Sequence, residues 1–347
     1  MSEPTVAGGH FLQARVRAVR DVASDVRVIE LEPARPPQPY PSGSHLDIAV
    51  TIDGLPDVRS YSLVGERPVE GAYRIAVKKI PDSRGGSAFV RALRPGSQAT
   101  VSEPKSHFEL QYGRPDYLLV AGGIGITPMV GMAHALTRHG RPFKLLYAAR
   151  TREQLAFAGE LSELLGDRLE LYVSAEGNRL DIDRAIDRLH PDGELYLCGP
   201  LRLRDAAQRA WRRRGRPPER LRFETFASGG RFQPEAFPVR VHDQGGREIT
   251  VPKNRTMLDA LRDADVEVMW DCRRGECGLC AVSVLHVEGE LDHRDVFLSE
   301  EEQAGNRTIL TCVSRAVGGA ITIDTGFRAD PQRQARPKAN QKHHGSF

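Results

Sequence analysis

The sequence predicts a multi-domain chain: an antiparallel β-barrel, then an α/β domain with a parallel sheet, then a short α+β segment. Three observations carry that prediction. Residues 1–113 hold short strand-like runs broken by Gly/Pro turns, as small antiparallel barrels do. From Asp116 onward, buried-type runs alternate with helical stretches, the signature of βαβ units. Beyond a Gly-rich break at Ala227–Pro234, four of the five cysteines fall in one window from Cys272 to Cys312. A chain of 347 residues suits two or three domains at roughly 100–200 residues each.

Taken in order, Phe11 to Arg20, Asp25 to Leu31, His45 to Ile52, Val58 to Leu63 and Tyr73 to Lys79 alternate Val, Ile or Leu with polar residues and are predicted as strands. A helix is predicted from Gly86-Ser87 and a strand over Gln98 to Ser102. In the second domain the strands are Tyr117–Val120, Lys144–Tyr147, Leu169–Tyr172 and Glu194–Leu197, with helices near 127–139, 158–165, 181–189 and 201–213. In the last segment Val239–His242, Glu248–Val251 and Ala281–Val287 read as strands and Thr256–Arg262 as a helix. The predicted boundaries are 1–113, 114–227, a linker at 228–236, 237–326, and a polar tail at 327–347 expected to be disordered.

Composition excludes several classes. The start, Met1 to His10, has no apolar h-region, so no signal peptide is predicted. No run approaches the ~20 apolar residues of a membrane span. A cytoplasmic protein off the membrane is expected. The net charge is +3 and no basic stripe interleaves with aromatics, which argues against a nucleic-acid partner. That total hides a split, +5 over residues 1–236 against −6 over 237–326. Glu300-Glu-Glu302 and the basic run Arg209–Arg222 are candidate docking charges, although a solvated helix face also explains the basic run.

Cys272, Cys277 and Cys280 form C-x4-C-x2-C, and Cys312 follows after 31 residues. This is plant-type spacing for a [2Fe–2S] cluster, with three thiolates from a loop and the fourth expected from a distant strand. Gly275 and Gly278 let the loop close and aim N–H groups at sulfur. Structural zinc usually takes two C-x2-C pairs, and a redox-active C-x2-C would leave Cys272 and Cys312 idle.

Gly122-Gly123-Ile-Gly125-Ile-Thr127-Pro128 follows a strand and opens a helix, where free N–H donors suit a phosphate; alternatively it is a packing turn. Cys198-Gly199-Pro200 ends a parallel strand, and that cysteine reads either as a small buried hydrophobe or as a ligand contact. Arg59-Ser-Tyr61-Ser62 offers a guanidinium fork, a flat ring and a hydroxyl, or is simply a strand. Arg84-Gly85-Gly86-Ser87 is a phosphate nest or a Ser cap after a glycine turn.

Together these motifs resemble the phthalate dioxygenase reductase family of the ferredoxin-reductase superfamily, over about residues 10–326. The resemblance implies a flavin-binding barrel, a nicotinamide domain and a β-grasp plant-type ferredoxin domain. It implies Arg59 on the flavin phosphate, Tyr61 against the isoalloxazine and Ser62 near its N5 edge. Val77 and Lys78 join the cofactor-binding set, and Arg84–Ser87 hold the phosphate. The pyrophosphate goes to Gly122–Pro128, the nicotinamide near Cys198, Gly199 and Pro200, and Glu224 and Phe226 flank the flavin. Thr127, Cys198 and Ser62 are the expected positioning residues at the reacting rings. Domain order and the phosphate loop favour FMN over FAD.

A nicotinamide donates two electrons and a [2Fe–2S] cluster takes one, so a flavin belongs between them. The expected protein is a monomeric NADH-dependent reductase serving a terminal oxygenase, either Rieske-type or a haem-thiolate monooxygenase. Arg150 and Arg152 stand where adenosine ribose or a 2′-phosphate would lie, which leaves NADPH open. The alternatives are a stand-alone flavin reductase of quinone or ferric acceptors, and a zinc- and nucleotide-binding redox sensor.

Overall fold

The computed structural model describes residues 11–52, 54–80, 85–226, 232 and 234–326. The N-terminal ten residues, most of the predicted linker and the predicted tail lie outside them. The chain divides into two compact units, residues 1–227 and 228–347.

The first unit opens with β1 (Phe11–Ala23), β2 (Val26–Pro33), β3 (Ser44–Ile52), β4 (Leu55–Ser62), β5 (Tyr73–Lys78), α1 (Gly86–Ala92), β6 (Gln98–Ser102) and β7 (Lys105–Ser106). The strands are antiparallel in the order β4-β3-β6-β1-β2-β5, with β7 beside β3. A bridge between Leu63 and Ile75, with Val64 N–H donating to Arg74 O at 2.8 Å, brings the β4 end back to β5. Period-two alternation turns Val16, Ile29, Leu31, Leu46, Ile48, Ile75 and Val101 inward, where each is fully buried.

A doubly wound sheet follows: β8 (Tyr117–Gly122), α2 (Ile126–Arg138), β9 (Phe143–Ala149), α3 (Ala158–Leu165), β10 (Leu169–Val173), α4 (Ile182–Arg188), β11 (Glu194–Cys198), α5 (Leu201–Arg213) and β12 (Leu221–Glu224). All its pairings are parallel, in the order β10-β9-β8-β11-β12. Both faces are buried, as a parallel sheet requires. Tyr117, Leu119 and Ala121 of β8 pack with α2 and α3, whereas Leu118 and Val120 pack with α4 and α5. The first of these cores also takes in Val26, Val28, Val64 and Ala76 of the barrel, so the two layers share apolar packing.

The basic run at 209–222 is largely spent inside this domain. Arg213 and Arg214 pair with Asp183, Arg214 also with Asp187, Arg220 with Asp192, and Arg222 with the buried Glu194. The expected docking charge is thus mostly neutralised at home.

The second unit holds β13 (Phe237–Val241), β14 (Arg247–Val251), α6 (Met257–Asp263), β15 (Ala281–Val287), β16 (Glu290–Asp292), α7 (Glu300–Gly305), β17 (Thr308–Leu310), β18 (Arg315–Val317) and β19 (Ile321–Asp324). Its sheet runs β14-β13-β19-β15-β17, with β13 and β19 parallel and the other neighbours antiparallel, and β16 pairs with β18. Met257, Ala260 and Leu261 of α6 close the core over Val239, Val241 and Ile323. In α7 the Glu302 carboxylate is engaged in a capping box with Ser299, which leaves it less available to a partner than Glu300 and Glu301.

Candidate functional site

The thiol centre is built by one loop and one turn. The segment between α6 and β15 carries Cys272, Cys277 and Cys280. Cys312 stands in the turn after β17 rather than on a strand. Leu310 ends that strand because its carbonyl accepts from both Val313 and Ser314 N–H, at 3.4 and 3.0 Å, and the chain folds back.

The four thiols associate in two pairs, Cys272 with Cys277 and Cys280 with Cys312. Backbone amides surround them: Arg274 N–H donates to Cys272 Sγ at 3.4 Å, joined by Glu276 and Cys277 N–H, and Gly275 N–H reaches Cys312. Positive φ at Gly275 (74°) and Gly278 (78°) permits this wrap, and a Cβ on Gly278 would sit 2.3 Å from the Phe297 ring. The shared hydrogen bond with Cys312 draws the Cys280 thiol down to about 7, while that contact and burial push Cys312 up. Burial also pushes Cys272 up. Among the described residues no three Cys, His, Asp or Glu side chains gather as a single-ion site. Four thiols in two amide-lined pairs fit a [2Fe–2S] group, which takes four thiolates over two irons.

In the first unit, β4 presents Arg59, Tyr61 and Ser62. The start of α1 lies against the guanidinium, for a Cβ on Gly86 would meet Arg59 Nε at 2.5 Å. Gly85 precedes it with φ 98° and Ser87 follows; Arg84 lies outside the described residues. Arg59 also reaches Asp57 at 2.7 Å. Tyr61 is half-buried, and burial pushes its phenol up to about 12, so it is neutral at any physiological pH. Ser62 donates to the Glu224 carboxylate at 3.4 Å across 162 residues of sequence, tying barrel to parallel sheet; both are buried. Phe226, two residues on, is 44% exposed. Val77 is buried, and Lys78 pairs with Asp25 at 3.4 Å.

The glycine loop at the end of β8 makes one 3-10 turn, Gly123–Gly125, before α2. It faces the end of β11 across the point where strand order reverses, where open α/β sheets bind ligands. Close packing demands its glycines: a Cβ on Gly125 would stand 2.1 Å from Cys198 O, and one on Gly122 would stand 2.5 Å from Pro200 Cδ. At Gly123, by contrast, a Cβ would meet only Lys78 Nζ, 3.7 Å away. That open face with a cation beside it fits a pyrophosphate. Thr127 is buried and donates its hydroxyl to Ile124 O at 3.0 Å, so its proton serves the loop's own backbone. Cys198 is fully buried in the core beside α2. Gly199 is buried and Pro200 exposed. Arg150 is exposed past the end of β9, and Arg152 is bound to Glu176.

Two side chains that the sequence did not single out belong to these sites. Asp295 backs the cysteine loop, with its neighbour Val296 donating to Gly275 O at 3.0 Å. Glu176 holds Arg152. Neither has a local spacing signal, because each partner comes from a distant segment.

A phosphate-ready barrel packed on a parallel sheet with an open glycine loop, followed by a four-thiol domain, defines a nicotinamide-dependent flavin and iron–sulfur oxidoreductase. Comparison with known proteins agrees throughout. Residues 13–110 match the oxidoreductase FAD-binding domain, 119–209 the oxidoreductase NAD-binding domain and 240–317 the 2Fe-2S iron-sulfur cluster binding domain. The chain belongs to the phthalate dioxygenase reductase family. The crystal structure of phthalate dioxygenase reductase, described as a modular structure for electron transfer from pyridine nucleotides to [2Fe-2S], shares 31% identity at a TM-score of 0.74, over 90% of this chain and 98% of that one. The phenoxybenzoate dioxygenase subunit beta of Ectopseudomonas oleovorans is 38% identical over 315 residues, 89% of this chain and 96% of that protein. An intact type IV self-sufficient cytochrome P450 monooxygenase matches at 32% identity and a TM-score of 0.65; the chain covers 43% of its length, with 93% of this chain aligned. No helix among the described residues is long and apolar enough to cross a membrane.

Proposed function

We propose that the chain is the reductase component of a two-component oxygenase system, moving electrons from NADH through FMN and the [2Fe–2S] cluster to a separate terminal oxygenase. The observation that carries this is the presence, on one chain, of a nicotinamide loop, a flavin barrel and a paired four-thiol loop. An enzyme that only reduced flavin would not need the thiols. Similarity to subunits of both dioxygenase and cytochrome P450 systems supports an oxygenase partner, Rieske-type or haem-thiolate. We take the reductase itself as a cytoplasmic monomer.

A bound flavin converts two-electron donation into single-electron steps, and the cluster carries those electrons singly. The protein's part is placement. Arg59 with the Gly85-Gly86-Ser87 turn anchors the flavin phosphate, and FMN suits an anchor that close to the barrel wall. Tyr61 supplies a flat neutral face. The Ser62–Glu224 bond fixes the barrel edge against the sheet that holds the nicotinamide, so the two rings meet in one register. The Gly122–Gly125 turn and Lys78 hold the pyrophosphate, and the wall at Cys198-Gly199-Pro200 limits where the nicotinamide can lie. Cys272, Cys277, Cys280 and Cys312 ligate the irons, with loop amides stabilising the more negative state.

Anaerobic titration with NADH tests the reading. The purified protein is expected to be yellow-brown and to bleach on NADH. Cys272→Ser is expected to keep flavin bleaching and to lose one-electron reduction of cytochrome c. A colourless, zinc-containing protein would overturn the proposal. Full reduction of cytochrome c by the variant would remove the cluster from the path.

A further inference from the structure

The choice between NADH and NADPH turns on charges at the carboxyl ends of β9 and β10, an inference that rests on the nicotinamide reading above. In the sheet order β10-β9-β8-β11-β12, the glycine loop ends the central strand β8 and Cys198 ends β11 on one side. A dinucleotide whose pyrophosphate lies on that loop and whose nicotinamide points toward β11 must send its adenosine half the other way. Neighbouring strands lie about 4.8 Å apart, so the ends of β9 and β10 stand about 5 and 10 Å from the loop, within reach of the adenosine ribose.

Two segments are tied together there, Ala175 N–H donating to Arg150 O at 2.9 Å. On them Arg152 and Glu176 form a two-bond fork, Nε to Oε1 at 2.7 Å and Nη2 to Oε2 at 2.7 Å. Their side chains are 66% and 43% exposed, so the pair adds little to stability and faces incoming ligand. The short 3-10 turn Ser174–Glu176 sets the carboxylate at the strand end, closed by Gly177 with φ 78°.

We propose that Glu176 selects NADH against NADPH. Its carboxylate occupies the guanidinium of Arg152, the group otherwise suited to grip a phosphate. Its own charge opposes the roughly −1.5 to −2 of a 2′-phosphate. A carboxylate keeps spare lone pairs while holding an arginine, and these accept the free ribose 2′-hydroxyl of NADH. The neutral isostere Glu176→Gln removes the repulsion and releases the fork.

The test is steady-state ferricyanide reduction by the flavin- and cluster-loaded protein with each nucleotide. The wild type is expected to favour NADH in kcat/KM. Glu176→Gln is expected to shrink that preference by roughly tenfold or more, chiefly through a lower KM for NADPH. Adding Arg152→Ala to that variant is expected to remove the gain, because the released fork is what captures the phosphate. A wild type that prefers NADPH, or a Glu176→Gln ratio within about twofold of wild type, overturns the assignment while leaving the reductase reading intact. Failure of both nucleotides to bleach the wild-type flavin overturns that reading, and the assignment with it.

Discussion

Asp295 shows how much of the cluster site is carried by a residue that never touches iron. Its buried carboxylate accepts from Leu298 N–H at 2.9 Å and from the Ser314 hydroxyl at 3.1 Å, with the His293 ring 3.6 Å away. Burial alone would raise its pKa, but the His293, Leu298 and Ser314 hydrogen bonds outweigh it and hold the group below the usual carboxylate range. A lowered folded-state pKa contributes stability that is present above the unfolded value, about 3.9, and lost as pH falls through the folded one. An acid titration followed at the cluster's visible bands is therefore expected to hold down to about pH 4 and then to fail. Asp295→Asn is expected to cost about 1–3 kcal/mol at neutral pH and to flatten that acid limb. An unaltered limb would show that the carboxylate does not hold the loop. The cysteines were legible because ligand spacing is local; Asp295 was not, since it lies within the long gap between Cys280 and Cys312 and its partners arrive from β18, α7 and the cysteine loop. Glu176 was hidden for the same reason, as its fork with Arg152 forms only once two parallel strands lie side by side.

Among the elements, the turn between β8 and α2 tolerates least. Gly125→Ala would drive a methyl into the Cys198 carbonyl, a backbone atom that the β11 pairing holds in place. A loss of about 1–3 kcal/mol is expected, together with slower flavin reduction by NADH, read by thermal melting and stopped-flow absorbance. Unchanged melting and rate would mean that the loop can shift, and that its approach to β11 is not what seats the dinucleotide. The longer elements were readable from alternation or helical period, and helices 158–165 and 201–213 coincide with their predicted spans. What escaped was short: β7 has two residues, β16 to β18 three each, and β12 and β19 four. Runs that short show barely one alternation, and they become strands only because a long neighbour supplies the hydrogen bonds.

At the scale of the whole molecule, charge explains less than the sequence suggested. The arginines of 213–222 are satisfied by Asp183, Asp187, Asp192 and Glu194, so they brace α4, α5 and the sheet instead of offering a free basic face. Domain order, by contrast, was readable, because each segment changes both its hydrophobic period and its motif at the joints. The barrel and the parallel sheet share one apolar core, whereas the four-thiol unit keeps its own, from Phe237 through Ile323. On heating, this predicts two separate transitions: one at which flavin fluorescence is released, another at which the cluster colour is lost. Coincident transitions at every scan rate would show the two bodies to be one cooperative block. If they separate, no single melting temperature describes this chain. A substitution in β13 that lowers the second transition would leave the protein oxidising NADH with its delivery end already melted, so an assay of NADH consumption alone would score that variant as intact.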